Sequence, residues 1–352
     1  MSKKSGSKVK KALRTFLVVI IVLVAVVFIG ARIYFRMPVS DYYAASEKAF
    51  VIPGLLDNMT PQGFDLEVSS DTYLVGGYQK DGSPSRIYRV NRQTGKSDGY
   101  VILGDENGNG LSPHAGGLAV HDDYLFVAGD EDASILIYKL SDVLSAESGM
   151  VIKKEGEFST SYKDDKINVA FLCFTEERMI AGEFYRDPNY MTSESHWITT
   201  PAGDENRAVA WAYSFSDDEF STFGISNEPS EIYSLPDLVQ GMTAKDGKIW
   251  ISQSYGTAKS TISCYDLSDS MPVTFRFLRI YSGVAKPNEG VPVYALDSST
   301  LVSSFEAPPM AEEIIFVDGK LLIMSESASM KYFFGNLTGG RWCYATDVEE
   351  LS

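Results

Sequence analysis

The sequence predicts an all-β fold, a β-propeller of four-stranded units preceded by one N-terminal transmembrane helix. Three observations lead there: a phrase that recurs five times, the turn chemistry inside that phrase, and one long apolar run near the N-terminus. The units number five, or six if a degenerate one lies within 191–234.

The phrase pairs a short apolar strand, opened by a polar and often a small residue, with a tight turn and a second strand ending in small or polar residues. It starts at Pro61 ("PQGFDLEVSSDTYLVGGY"), His114 ("HAGGLAVHDDYLFVAGDED"), Asn168 ("NVAFLCFTEERMIAGEFY"), Val239 ("VQGMTAKDGKIWISQSYG") and Ala311 ("AEEIIFVDGKLLIMSES"). A period of this length is the mark of stacked supersecondary units, since one such unit cannot bury both of its faces alone. Asp-Gly at 246–247 and 318–319, between alternating apolar residues, is a strong short signal for a hairpin. "HDD" and "TEE" fill the same place in the second and third copies. Third strands follow as "SRIYRVN" from Ser85, "SILIYKL" from Ser134, "AVAWAYSF" from Ala208 and "STISCYDL" from Ser260. Fourth strands are expected at "GYVILG" near Tyr100 and "VPVYALD" near Val291. "EKAFVIPGL" (47–55) precedes the first copy and is expected to be the outer strand that closes the ring against the last unit.

The run from Phe16 to Ala31 carries no charge and approaches the length of a spanning helix. Thr15 and the segment 33–35 extend it. Eight basic residues and no acid occur up to Arg36, which leaves 23 basic against 47 acidic residues beyond it. The positive-inside rule then keeps residues 1–14 as a cytoplasmic basic tail, with 15–35 an uncleaved signal anchor in the cell membrane. Residues 36–46 are a linker, and the propeller over 47–352 lies outside the cell. A domain so acidic repels phosphate backbones, which excludes nucleic acid as a partner. Cys173, Cys264 and Cys343 form no metal or redox motif, and buried apolar packing is their expected role.

In a propeller the inner strands line a central channel, and the residues that open them stand at its mouth. Here these are Gln62, His114, Asn168, Gln240 and Glu312, with Glu313 beside the last. Carbonyl, imidazole and carboxylate groups in a ring can hold a small polar ligand or a divalent cation such as Ca2+. The ends of the second strands add Asp130, Glu183 and Glu326, with Tyr255 following the fourth copy. Asp105, Asn107 and Asn109, with Gly110, match the first half of a calcium loop, but Gly116 stands where the bidentate Glu belongs. His121 falls in a turn and receives no role. His196 lies in the long connection 185–206, which with Tyr190 and Trp197 is expected to form a lid or recognition surface. No GxSxG elbow, HExxH, P-loop or dinucleotide glycine fingerprint is present.

The stretch "VQGMTAKDGKIWISQSYGTAKSTISCYDL" resembles the blade repeat of plant-type glutaminyl cyclases. More diffusely, 61–351 is similar in style to strictosidine-synthase, gluconolactonase and NHL-type propellers. The resemblance implies a five-bladed extracytoplasmic fold. The cyclase pattern has a Glu-Gly pair at a blade start, where this chain reads Glu312-Glu313. Two functions are therefore expected. The first is a surface binding or scaffolding module for an extracytoplasmic peptide, glycan or protein. The alternative is a channel-mouth enzyme of lactonase or cyclase type, with Glu312 or Glu183 as general base and Gln62, His114 and Gln240 orienting substrate or metal. Convergence decides between them: an enzyme needs these side chains around one cavity, a binding module an exposed aromatic rim. A purely structural envelope role is a third reading.

Overall fold

The computed structural model describes residues 3–129, 133–275 and 290–351. Each repeated phrase folds as an antiparallel pair, and the third strand adds to its edge as the alternation of apolar residues requires. The first unit is Met59–Glu67, Thr72–Gln79, Arg86–Asn91 and Lys96–Gly104. The second is Leu118–His121, Tyr124–Ala128, Ser134–Lys139 and Val151–Ser159. The third is Phe171–Phe174, Arg178–Gly182, Ala208–Ser214 and Glu231–Leu235. The fourth is Val239–Lys245, Lys248–Gln253, Ser260–Asp266 and Leu301–Ala307. The last is Ala311–Val317, Lys320–Ser325 and Trp342–Thr346, completed by Ser46–Val51 from the N-terminal side. Among the described residues the inner strands follow one another around a closed ring, the last beside the first. The chain is a β-propeller.

Turn chemistry explains the hairpins. Asp71, Asp122, Asp246 and Asp318 all adopt positive φ between the first and second strands of their units, a conformation Asp tolerates because its short side chain bonds locally. These turns lie on the face opposite the one where the inner strands begin. We call the latter the mouth face.

Apolar residues fill the wedges between neighbouring sheets. Phe126, Phe158, Trp211 and Tyr213 join the second and third units, and Met242, Ile251, Tyr233 and Leu235 join the third and fourth. The closing strand follows the same logic. Ser46 pairs with Thr346 and Val51 with Trp342, while Phe50, fully buried, lies against Phe64 and Tyr73 of the first unit at 6.2 and 4.8 Å between ring centres.

One expected strand is corrected. Val291–Ala295 pairs in parallel with Glu231–Leu235, the outer strand of the third unit, and antiparallel with Val273–Phe275. The fourth strand of the fourth unit is Leu301–Ala307, which pairs with Ser260–Asp266. Pro292, which has no N–H for a ladder, lies ahead of the residues 293–295 that pair with Glu231–Leu235. The stretch 191–234 holds the third and fourth strands of the third unit and the short pair Ile198–Thr199 with Glu205–Asn206.

The helix Lys3–Arg36 carries the apolar run, and it is long and apolar enough to cross a membrane. Residues 36–46, expected as a linker, are largely helical: Met37–Val39 is a 3-10 turn and Ser40–Ala44 a short helix. Val39 and Tyr42 are buried there against the last unit.

Phe50→Ala would remove the side chain that binds the closing strand to the first unit, with an expected cost of about 3–5 kcal/mol, as for other buried aromatics. Urea unfolding of the full chain in detergent reads this as a lower midpoint with an unchanged slope.

Candidate active site

Three inner strands carry a register shift at the same height, between Pro61 and Phe64, Val239 and Gly241, and Ala311 and Ile314. A bulge of this kind re-aims a side chain. Here it turns Gln62, Gln240 and Glu312 into one cavity of about 370 Å³ on the mouth face. His114 and Tyr255 line the same space, and so does Glu326 from the end of the last unit's second strand. Six of the residues read from the sequence therefore converge.

Glu312 is 3% exposed. Among the described residues no donor reaches its carboxyl group. Burial pushes its pKa well above the usual carboxylate range, and the negative charges of Glu326 and Glu313 push it further. Glu326 differs in its partners: the Tyr78 and Tyr332 hydroxyls each donate to it at 3.0 Å. Burial raises its pKa, and the two phenols, Lys331 and the Gln62 amide hold it down. Lys331 reaches the Tyr78 hydroxyl and lies over the Tyr78 and Tyr332 rings. His114 stacks on Tyr78 with ring centres 4.7 Å apart. The mouth thus places a donor-poor acid beside a donor-rich one, a contrast that separates proton affinities within one site.

Glu313 turns the other way, onto the ring axis. It accepts the Leu118 N–H at 2.8 Å, and the N–H groups of Phe64 and Leu172 also bear on it. These belong to the inner strands of the first, second and third units. Gly63 makes room for it: a Cβ there would lie 2.9 Å from the Glu313 carboxylate and 2.7 Å from the Leu118 nitrogen. Gly241 is held in the same way by the backbone of Glu312 and Glu313. Below Glu313, Asp65 accepts the Val120 N–H at 2.8 Å, and burial pushes its pKa up to about 6.

Glu183 does not reach the cavity. Its carboxylate meets His196 Nδ1 at 2.6 Å, and Asp165 meets His196 Nε2 at 3.1 Å. His196 is 1% exposed. Burial lowers its pKa, but the two carboxylates outweigh burial and hold it near 9. The charged ring ties the 194–196 turn to the hairpin at 161–166, and so fixes the long connection that presents Tyr190 to the cavity. Asn168 is exposed and absent from the cavity lining. Asp130 lies outside the described residues. Asp105 accepts the Asn107 and Asn109 N–H groups at 2.9 and 2.7 Å and the Asn109 side-chain amide at 2.8 Å, so the calcium-like spacing closes a turn on itself. Among the described residues no group of three or more His, Cys, Asp or Glu is placed to hold a metal ion.

Lys331, Tyr332 and Met310 also line the cavity and were not read from the sequence. Lys331 and Tyr332 sit in the connection 326–341, which lies outside the repeated phrase, so no periodic signal marks them.

No known family profile matches this chain, and no curated protein matches it. Solved structures similar to it include the following. Glutaminyl cyclase from Myxococcus xanthus is 9% identical, over 86% of this chain and 94% of that one, with a TM-score of 0.42. The PQQ-bound aldose sugar dehydrogenase from Streptomyces coelicolor is 11% identical, over 79% and 76%, with a TM-score of 0.41. The Cps50 β-propeller domain from Myceliophteria thermophila is 10% identical, over 86% and 99%, with a TM-score of 0.36.

The protonation of Glu312 has a stability consequence. In the unfolded chain it ionises near the ordinary Glu pKa, whereas in the folded chain it resists ionisation. Its contribution therefore becomes less favourable as pH rises from that ordinary value towards the folded one. Glu312→Gln removes this penalty. The melting temperature of the variant relative to the wild type should rise between pH 5 and pH 8; a constant difference would contradict the assignment.

Proposed function

We propose that this protein is a membrane-anchored extracytoplasmic propeller whose channel mouth is an acid–base active site. The observation that carries the reading is Glu312: a buried carboxyl that no donor among the described residues reaches, facing a cavity shared with Gln62 and Gln240. A group so placed is free to exchange its proton with a bound molecule, and burial beside two other acids raises its proton affinity. Gln62 and Gln240 offer both amide donors and carbonyl acceptors to orient a small polar substrate. The reaction class is acyl transfer at a carbonyl, of cyclase or lactonase type. In the cyclase form an N-terminal amine attacks its own side-chain amide carbon. In its ionised form Glu312 takes the proton from the attacking amine and returns it to the departing nitrogen, so that ammonia leaves as the ring closes. In the lactone form the nucleophile is water and the leaving group the ring oxygen.

A binding role without turnover is favoured by one feature, the aromatic rim. Tyr190 and Tyr255 are 53% and 39% exposed, and the Arg186 guanidinium lies 3.7 Å from the Tyr255 ring centre. Such groups can hold a peptide or glycan over the mouth.

The purified full chain should release ammonia from peptides with N-terminal glutamine or open small lactones, with kcat reduced about 100-fold or more in Glu312→Gln. Turnover unaffected by Glu312→Gln would overturn the assignment of Glu312. Saturable binding of these compounds with no turnover would leave the binding module in its place.

A further inference from the structure

The apolar helix does not simply trail from the propeller; its end is docked on the mouth face. Arg36 donates from Nε to the Thr338 carbonyl at 3.0 Å and from Nη2 to the Gly339 carbonyl at 3.2 Å. Arg32 donates to the Asn336 carbonyl at 3.4 Å. The Tyr43 hydroxyl donates to the Thr338 carbonyl at 2.5 Å, with the Arg36 guanidinium 4.1 Å from the Tyr43 ring centre. These carbonyls end the short helix Phe333–Thr338, where cations are favoured and free carbonyls need donors. The same connection, 326–341, supplies Glu326, Lys331 and Tyr332 to the cavity.

The height of this junction follows from helix geometry. Arg36 lies about 8 Å along the axis from Ala31, where the uncharged run ends. Exposed apolar surface continues past Arg32 through Ile33, Tyr34, Phe35 and Met37, the aromatic and basic pattern of a membrane boundary. The helix 333–338 therefore stands at the level of the lipid headgroups. Beside it, on the same face, Phe334, Met330 and Leu56 are 68%, 64% and 91% exposed.

Charge is arranged to match. Arg32 and Arg36 meet the connection 326–341, which itself carries Lys331 and Arg341, within an otherwise acidic domain. On the opposite face the inner hairpin turns carry both signs, Asp71, Glu177, Asp246 and Asp318 lying beside Arg92, Arg178, Lys245, Lys248 and Lys320. A surface of anionic lipid attracts the basic junction.

We propose that the mouth face lies against the anionic bilayer in which the helix is anchored, so that the cavity draws its ligand from the membrane surface. The proposal rests on the anchor reading of residues 15–35 and deepens the reading of the cavity by stating where its substrate resides. It does not depend on catalysis.

The test uses the full chain in nanodiscs containing phosphatidylglycerol. Its three native cysteines are buried, so an environment-sensitive fluorophore can be placed at single new cysteines. Leu56→Cys and Phe334→Cys report the mouth face; Phe220→Cys and Glu176→Cys, both at exposed positions in turns of the third unit, report the opposite one. Nitroxide-bearing lipids should quench the first pair and leave the second pair unchanged. Equal quenching of all four, quenching confined to positions 220 and 176, or no quenching at any position would overturn the proposal. Release of the chain from the discs in alkaline carbonate would overturn the anchor itself and the proposal with it, and is distinguished because no protein then remains with the lipid.

Discussion

One carboxylate on the ring axis organises the rest of this molecule. Inner strands of a propeller run side by side without a shared hydrogen-bond ladder, so their N–H groups at the crowded mouth need another acceptor. Glu313 supplies it to Leu118, with the N–H groups of Phe64 and Leu172 directed at the same carboxyl, and reaches across the ring because Gly63 leaves the space. Hydrophobic wedges between sheets hold neighbouring units together. The Glu313 contacts link units through the centre.

The same backbone irregularity divides two adjacent acids between two tasks. The register shift between Ala311 and Ile314 sends Glu313 to the axis, where backbone donors engage it, and Glu312 to the cavity, where none does. A regular strand would have placed the two on opposite faces. Matching shifts bring Gln62 and Gln240 to the same level. Scaffold and chemistry are therefore coupled: the rigidity of the site comes from the residue next to the one with the free carboxyl.

Much of this was legible in the sequence. The repeat, the Asp-containing turns and the closing strand follow from alternation and turn preference, which act locally. Gln62, His114, Gln240, Glu312, Glu326 and Tyr255 were legible as channel residues because the repeat puts them at equivalent positions. Three things were not. A bulge re-aims side chains without altering composition, so which of Glu312 and Glu313 faces the cavity could not be read. Val291–Ala295 alternates as a fourth strand should, yet tertiary pairing assigns it to the neighbouring unit. The pairing of Glu183 with His196 and Asp165 joins an insertion to a connection from the preceding unit, a contact with no sequence period.

Glu313 secures the inner strands, and the unfolding free energy of Glu313→Ala in the full chain tests this most directly. Loss of the carboxylate leaves buried backbone donors without a partner, at about 1–3 kcal/mol each. A destabilisation of about 3 kcal/mol or more is expected, with faster amide exchange at Leu118. A variant as stable as the wild type, with Leu118 equally protected, would contradict the claim.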